Sequence, residues 1–152
     1  MKKDNGIIIF EVVEVKDMYV EAVNRLLTQL SSSPQFFTEA TLSEIVKSSS
    51  SHLFFAQHEG DVIGMLTVGE YIAPTGRKMW VEDVIVDEAM RGRSLGRMLV
   101  EHAIAFAKSL GDGTLMLTSR SSRVAANNLY RSCGFILKET NMYRMPLLQN
   151  EN

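Results

Sequence analysis

Residues 79–118 leave little choice of fold. Met79–Val86 alternates and is rich in β-branched side chains, the pattern of a strand. A polar loop, Asp87–Gly92, follows. Leu95, Leu99, Ala103, Phe106 and Leu110 then recur at spacings of four, four, three and four. That spacing lines one face of a helix, and Gly111 closes it. Thr114–Thr118 reads as a short buried strand. Strand, long helix and strand make a βαβ unit, which permits a parallel strand pair.

The rest of the chain supplies what that unit packs against. Residues 7–15 read as a strand. Asp17 is a candidate cap for a helix whose face is Tyr19, Val23, Leu26 and Leu30, broken at Ser31–Pro34. Thr41 and Glu44 have capping-box spacing ahead of Ile45 and Val46, which suggests a second, short helix. His52–Gln57 and Val62–Tyr71 are strand-like, and Glu59-Gly60-Asp61 between them has hairpin-turn chemistry. Gly64 and Gly69 inside the second strand suggest a bulge or a close backbone approach. Ala73–Gly76 is a turn. On the strand that follows, strict alternation puts Trp80, Glu82, Val84 and Val86 on one face, and Val81, Asp83 and Ile85 on the other. Ser121 or Ser122 is a candidate cap for a helix ending at Gly134, and Phe135–Lys138 and Met142–Met145 read as two terminal strands. The order β-α-α-β-β-β-α-β-α-β-β predicts an α/β (or α+β) fold with a mixed, mostly antiparallel sheet flanked by helices. No linker or repeat divides the chain, so residues 1–152 are expected to form one domain.

Composition narrows the function classes. One Cys among 152 residues excludes an intramolecular disulfide framework. No apolar run approaches the ~18 residues of a membrane span, and the first 15 residues do not resemble a signal peptide. A cytoplasmic protein with no membrane partner is expected. The net charge of -2 argues against a basic nucleic-acid binder. His52, His58, His102 and Cys133 show no ligand spacing, so no metal is expected.

The loop and helix start read Arg91-Gly92-Arg93-Ser94-Leu95-Gly96-Arg97. A helix N-terminus offers unpaired N–H groups and a partial positive charge, which together favour an anion. Gly92 and Gly96 allow a close approach, and Arg91, Arg93 and Arg97 add charge suited to a pyrophosphate. Neither G-x-G-x-x-G nor G-x-x-x-x-G-K-[ST] is present, so neither a Rossmann dinucleotide site nor a P-loop is supported. A solvated, Arg-rich helix start is the other reading of this segment alone.

Val84-Ile85-Val86-Asp87 followed by Arg91-x-x-x-x-Gly96 resembles motif A of the GNAT superfamily of acyl-CoA N-acyltransferases, with Ser94 in place of its first glycine. Downstream, Arg123 through Ala126, Asn127, Leu129 and Tyr130 to Gly134-Phe135 resembles motif B, although Arg123 stands where many members carry an Asn. Element order matches along the whole chain. The resemblance implies one N-acetyltransferase domain whose strands 79–86 and 114–118 splay apart, admitting the pantetheine arm of acetyl-CoA. It implies that Val84, Ile85 and Val86 pair with that arm. Arg91, Gly92, Arg93, Ser94, Leu95, Gly96 and Arg97 would hold the pyrophosphate, with Asn127 and Tyr130 completing the cofactor site. The run Val81–Val86 also resembles glucosamine-phosphate N-acetyltransferases, a pointer towards a small amine.

The implied chemistry has two proton problems. An alkylamine with a pKa near ~10.4 must lose a proton before attack, and a departing thiolate must gain one. The resemblance makes Tyr130 the acid, and a backbone N–H near Val84 the donor to the oxyanion. Glu82 is the candidate base, because alternation puts it on the face of Val84 and Val86. Glu70 is a weaker alternative. Each has a structural alternative: Tyr130 as a packing ring, Glu82 as a solvated carboxylate. Cys133 is read as packing rather than as a nucleophile. The expected function is transfer of an acetyl group directly from acetyl-CoA to the amine of a small molecule. Protein lysine or N-terminal acetylation, a non-catalytic acyl-CoA sensor and an arginine-based nucleic-acid module are the alternatives. A homodimer is expected only because two-fold dimers are common.

Overall fold

The computed structural model describes residues 6–33 and 35–148; Pro34 of the expected helix break lies outside them. The chain enters as β1 (Ile7–Glu11) and passes through helices α1 (Asp17–Leu30) and α2 (Glu39–Lys47). It then forms the meander β2 (Ser51–His58), β3 (Asp61–Ala73) and β4 (Gly76–Val86). A 3-10 turn at Glu88–Met90 leads to α3 (Leu95–Ser109), β5 (Thr114–Met116) and α4 (Val124–Ser132). The five strands make one sheet in the order β1-β2-β3-β4-β5. Every pair is antiparallel except β4–β5, which is parallel across α3. The α/β fold with a mostly antiparallel sheet is the one the element order predicts.

Each face of the sheet carries its own core. Phe54, Ala56, Leu66, Val68, Met79 and Val81 pack against Leu95, Leu99, Ala103 and Ala107 of α3. Leu53, Phe55, Met65 and Ile85 pack against Tyr19, Val23, Leu26 and Leu42 of α1 and α2. Leu26, Leu42, Leu66 and Leu99 have no solvent exposure, and burying each contributes roughly 2 kcal/mol.

Several boundaries differ from expectation, each for a local reason. β1 stops at Glu11 rather than residue 15, although Val12 still donates its N–H to Leu53 O at 2.8 Å. Asp17 is the first helical residue of α1 and not its cap; the cap position is Lys16, with no side-chain bond. The α2 cap is Thr38, whose hydroxyl accepts from the N–H of Thr41, so the start lies three residues before the expected Thr41 box. The cap position of α4 is Arg123, with no side-chain bond, and neither Ser121 nor Ser122 fills it. The terminal strands expected over 135–138 and 142–145 are not formed.

The most consequential difference lies in β4. Thr67 pairs with Glu82 and Met65 pairs with Ile85, so Leu66 opposes two residues, Asp83 and Val84. This is a β-bulge, and Asp83 takes a φ of 51° to make it. One extra residue reverses the parity of everything beyond it. Met79 and Val81 face α3 before the bulge, Val84 and Val86 face it afterwards, and Ile85 turns to the α1/α2 core. Glu82 therefore does not share the face of Val84 and Val86. It lies with Trp80 on the α1/α2 side.

Candidate active site

The parallel ladder between β4 and β5 holds only three pairs: Lys78–Thr114, Met79–Leu115 and Trp80–Met116. β4 continues six residues further, to Val86, with only β3 beside it among the described residues. The expected splay is thus present, and β5 is shorter than the 114–118 that composition suggested. The unpaired stretch of β4 presents backbone N–H and C=O groups to the gap. Val84, Ile85 and Val86 occupy that stretch.

The N-terminus of α3 follows the 3-10 turn. Met98 donates to Ser94 O at 3.0 Å. Among the described residues, the amides of Leu95, Gly96 and Arg97 have no acceptor, and no acidic residue sits in the first turn. Ser94 holds the cap position in the left-handed region, with φ 59° and ψ 21°, and its side chain makes no cap bond. That conformation is why a glycine suits this position. Gly92 also has a positive φ, 82°. Gly96 serves packing: a Cβ there would come within 3.3 Å of Leu129 Cδ2 and 3.9 Å of Val86 Cγ2. It lets α4 close against α3.

The three arginines are used differently. Arg97 bonds Ser132, approaches Cys133 Sγ at 3.6 Å and pairs with Glu101 at 3.6 Å, so it ties α3 to α4. Arg91 lies 3.9 Å from Glu88. Arg93 is exposed and has no partner among the described residues.

Beyond the gap, α4 ends in a Schellman turn. Gly134, at φ 102°, donates to Arg131 O at 3.0 Å, and Phe135 donates to Tyr130 O at 3.0 Å. The hydrophobic contact that accompanies such a turn is Phe135 against the Tyr130 ring, centroids 6.1 Å apart. The Tyr-x-x-x-Gly-Phe spacing is therefore also a helix stop. Tyr130 is only 7 % exposed. Burial pushes its phenol above the ordinary value, against a smaller opposing pull from Arg123. It keeps its proton at neutral pH. Asn127 donates to Arg120 O at 2.8 Å and Arg123 O at 2.7 Å, which spends both amide hydrogens on the turn leading into α4. A cavity of about 200 Å³ lies beside this helix, lined in part by Ser119, Asn127 and Arg131.

Glu82 is exposed at the bulge. Partial burial, and then the neighbouring Asp83 charge, raise its carboxyl above the usual range. Both effects make it a better proton acceptor than an ordinary glutamate. Glu70 is committed elsewhere: Arg77 pairs with it at 3.0 Å, and His52 Nε2 lies 3.7 Å away.

Periodicity gave no sign of the residues that hold the loop. Arg25 of α1 pairs with Asp87 at 2.5 Å and donates to Val62 O at 2.6 Å. Gln29 accepts from the N–H of Glu88 at 2.9 Å. Together they clamp the turn that delivers the chain to α3. They read as polar residues on the outer side of α1, and their partners lie about 60 residues away. A second cavity, about 380 Å³, is lined in part by Arg25, Val62, Asp87 and Met90. Among the described residues, no group of three or more His, Cys, Asp or Glu side chains is placed to hold a metal ion. No helix among them is long and apolar enough to cross a membrane.

A family model described as the acetyltransferase (GNAT) family matches residues 17–135. Glucosamine 6-phosphate N-acetyltransferase 1 of Oryza sativa is 29 % identical over 126 residues, covering 77 % of this chain and 74 % of its own. The streptothricin acetyltransferase of Streptomyces lavendulae is 32 % identical over 77 residues, 51 % of this chain and 40 % of that protein. Among solved structures, the glucosamine-6-phosphate N-acetyltransferase of Arabidopsis thaliana superposes with a TM-score of 0.77 at 23 % identity, covering 91 % of this chain and 97 % of that one.

Proposed function

The chain belongs to the acetyltransferase (GNAT) family, and we propose that it transfers an acetyl group directly from acetyl-CoA to a primary amine of a small molecule. The observation that carries this reading is the gap beyond Trp80 and Met116, with the open amides at the start of α3 next to Val86. The donor set fits the co-substrate. Unpaired amides at a helix start suit phosphate oxygens, and the unpartnered edge of β4 suits an amide-bearing arm. When bound, acetyl-CoA supplies the acyl group as a thioester. Leu95, Gly96 and Arg97 hold phosphate oxygens through their N–H groups, and Arg93 adds charge at the loop. A backbone N–H near Val84 stabilises negative charge developing on the acyl oxygen. Glu82, with its raised pKa, takes the proton from the amine, directly or through a water. Tyr130 gives its phenolic proton to the departing sulfur. The small-amine acceptor is supported by relatives whose names record glucosamine 6-phosphate and streptothricin as substrates. Glu82 and Asp83 beside the gap favour a cationic acceptor. The reading carries with it a cytoplasmic location, in keeping with a single free cysteine.

Thiol release from acetyl-CoA, measured against aminosugars, polyamines, aminoglycosides, amino acids and a lysine peptide, tests this. The expected result is turnover with one small-amine class. Tyr130→Phe and Glu82→Gln should each lower kcat by roughly 10²- to 10⁴-fold. The wild-type pH profile should rise through a pKa above the free glutamate value of ~4.3, as Glu82 ionises. It should fall only above ~10, as Tyr130 loses its proton. Glu82→Gln should remove the first limb and Tyr130→Phe the second. Turnover with the peptide alone would overturn the small-molecule acceptor. Saturable acetyl-CoA binding without turnover of any amine would overturn the enzyme.

A further inference from the structure

The two faces of the sheet use their polar side chains differently. On the α3 face, His52 Nδ1 lies 3.1 Å from Glu11 Oε2, and Arg77 donates to Glu70 at 3.0 Å. Those groups are spent on one another. Their neighbours in sequence point to the α1/α2 face. There the register sets Ser51 beside Gly69, and Gly69 beside Trp80. Thr67 and Glu82 form the next pair on one side, Tyr71 and Lys78 the next on the other. The side chains of Ser51, Thr67, Lys78, Trp80 and Glu82 make no hydrogen bond or ion pair with another described residue. All but Glu82 are half-buried. A polar group withdrawn from water ordinarily has a partner, and among the described residues these have none.

The space between them is open. A Cβ on Gly69 would meet nothing within 4 Å, so the middle of this patch is a recess floored by bare backbone. Trp80 stands beside that floor as a flat apolar wall. Lys78 and Glu82 bracket it. They are four residues apart on β4, so their Cα atoms lie about 13 Å apart. Two side chains reaching inward over that span leave room for one ring, not for a polymer. An aromatic wall with a few polar groups of opposite sign is the make-up of a small-molecule site.

We propose that this recess seats the acceptor, and that Lys78 is a specificity-determining residue that selects amines carrying an anionic group, a phosphate or a carboxylate. The inference rests on the transfer reading above and names its substrate class. Glu82 receives the amine end. The Lys78 ammonium, a point charge with three donors, receives the anion. Gly69 supplies the room between them, and the Ser51 and Thr67 hydroxyls meet polar groups on the body of the molecule. The charge order sets the orientation. Glu82 lies beyond Trp80, where the β4–β5 ladder has ended, so the amine faces the gap. Lys78 lies where β4 is still paired with Thr114, so the anion sits over closed sheet. A polyamine suits this site less well, because its second cation would meet Lys78.

Trp80 is the only tryptophan in the chain, so its fluorescence reports on the recess without turnover. The probes are two matched pairs of amines: glucosamine with glucosamine 6-phosphate, and pentylamine with 5-aminopentanoate. Each is titrated by fluorescence and assayed with acetyl-CoA on the full chain. The anionic member of one pair should bind, and turn over with a KM roughly tenfold or more below that of its partner. Which pair shows this tells phosphate from carboxylate. Lys78→Met should abolish the preference through KM rather than kcat, and Lys78→Arg should restore most of it. Gly69→Val, a residue that suits a strand, should weaken binding of both members by filling the recess. Circular dichroism confirms that each variant is folded. A preference untouched by Lys78→Met, or no preference for the anionic member of either pair, would overturn the proposal and leave the transfer reading standing. A fluorescence response that depends on Lys78, without turnover of any amine, would sink the transfer reading and uphold the recess as a site for anionic amines. Neither response nor turnover would overturn both.

Discussion

Ser94 holds a left-handed conformation that costs a β-carbon residue ~1–2 kcal/mol, and it obtains no cap bond in return. Ser94→Gly should therefore raise stability by about 1 kcal/mol, somewhat less once the greater freedom of an unfolded glycine is counted. Urea unfolding checks the sign, and acetyl-CoA titration should show affinity equal to or better than wild type. A loss of affinity would mean that the Ser94 hydroxyl itself contacts phosphate. Neighbouring residues show how differently similar side chains are used. Arg97 braces α4, while Arg93 is left to solvent. The sequence placed both in one anion-binding segment, and charge alone could not tell a brace from a ligand.

At the scale of elements, the clamp from α1 to the loop before α3 is the feature with the clearest pH signature. Asp87 is held below the ordinary carboxylate range, first by the N–H of Ala89 and then by Arg25. A depressed folded-state pKa contributes stability above the unfolded value of ~3.9, and that contribution is lost as pH falls through the folded value. Asp87→Asn should thus lower the urea midpoint at pH 7, and the gap to wild type should narrow as pH drops below about 4. A gap that stays constant with pH would mean the carboxylate's charge adds nothing. The bulge at Asp83–Val84 is the other decisive element. It places Val84 and Val86 towards α3 and leaves Glu82 on the opposite face. Alternation could not anticipate it, because a bulge is set by pairing with β3 and not by the strand's own composition.

For the whole molecule, one sheet carries two separate cores, so damage on either face is felt globally. Leu26→Ala in the α1/α2 core and Leu99→Ala in the α3 core should each cost about 2–5 kcal/mol. The sheet lies between them, so the double variant should be additive within ~0.5 kcal/mol. Denaturant curves for the single and double variants check this. A large coupling would show that the two faces respond as one packing unit.

Much of this protein was legible from residue order alone. The βαβ unit over 79–118, the face of α3, the Glu59-Gly60 hairpin and the paired motifs over 84–97 and 123–135 follow from local periodicity, turn chemistry and spacing, which are properties of neighbours in sequence. Tertiary structure decided the rest. The parity of β4 beyond Asp83, the Arg25–Asp87 clamp and the packing role of Gly96 against Leu129 each depend on a partner far away in the chain. A side chain's own pattern carries no record of which distant group it will meet.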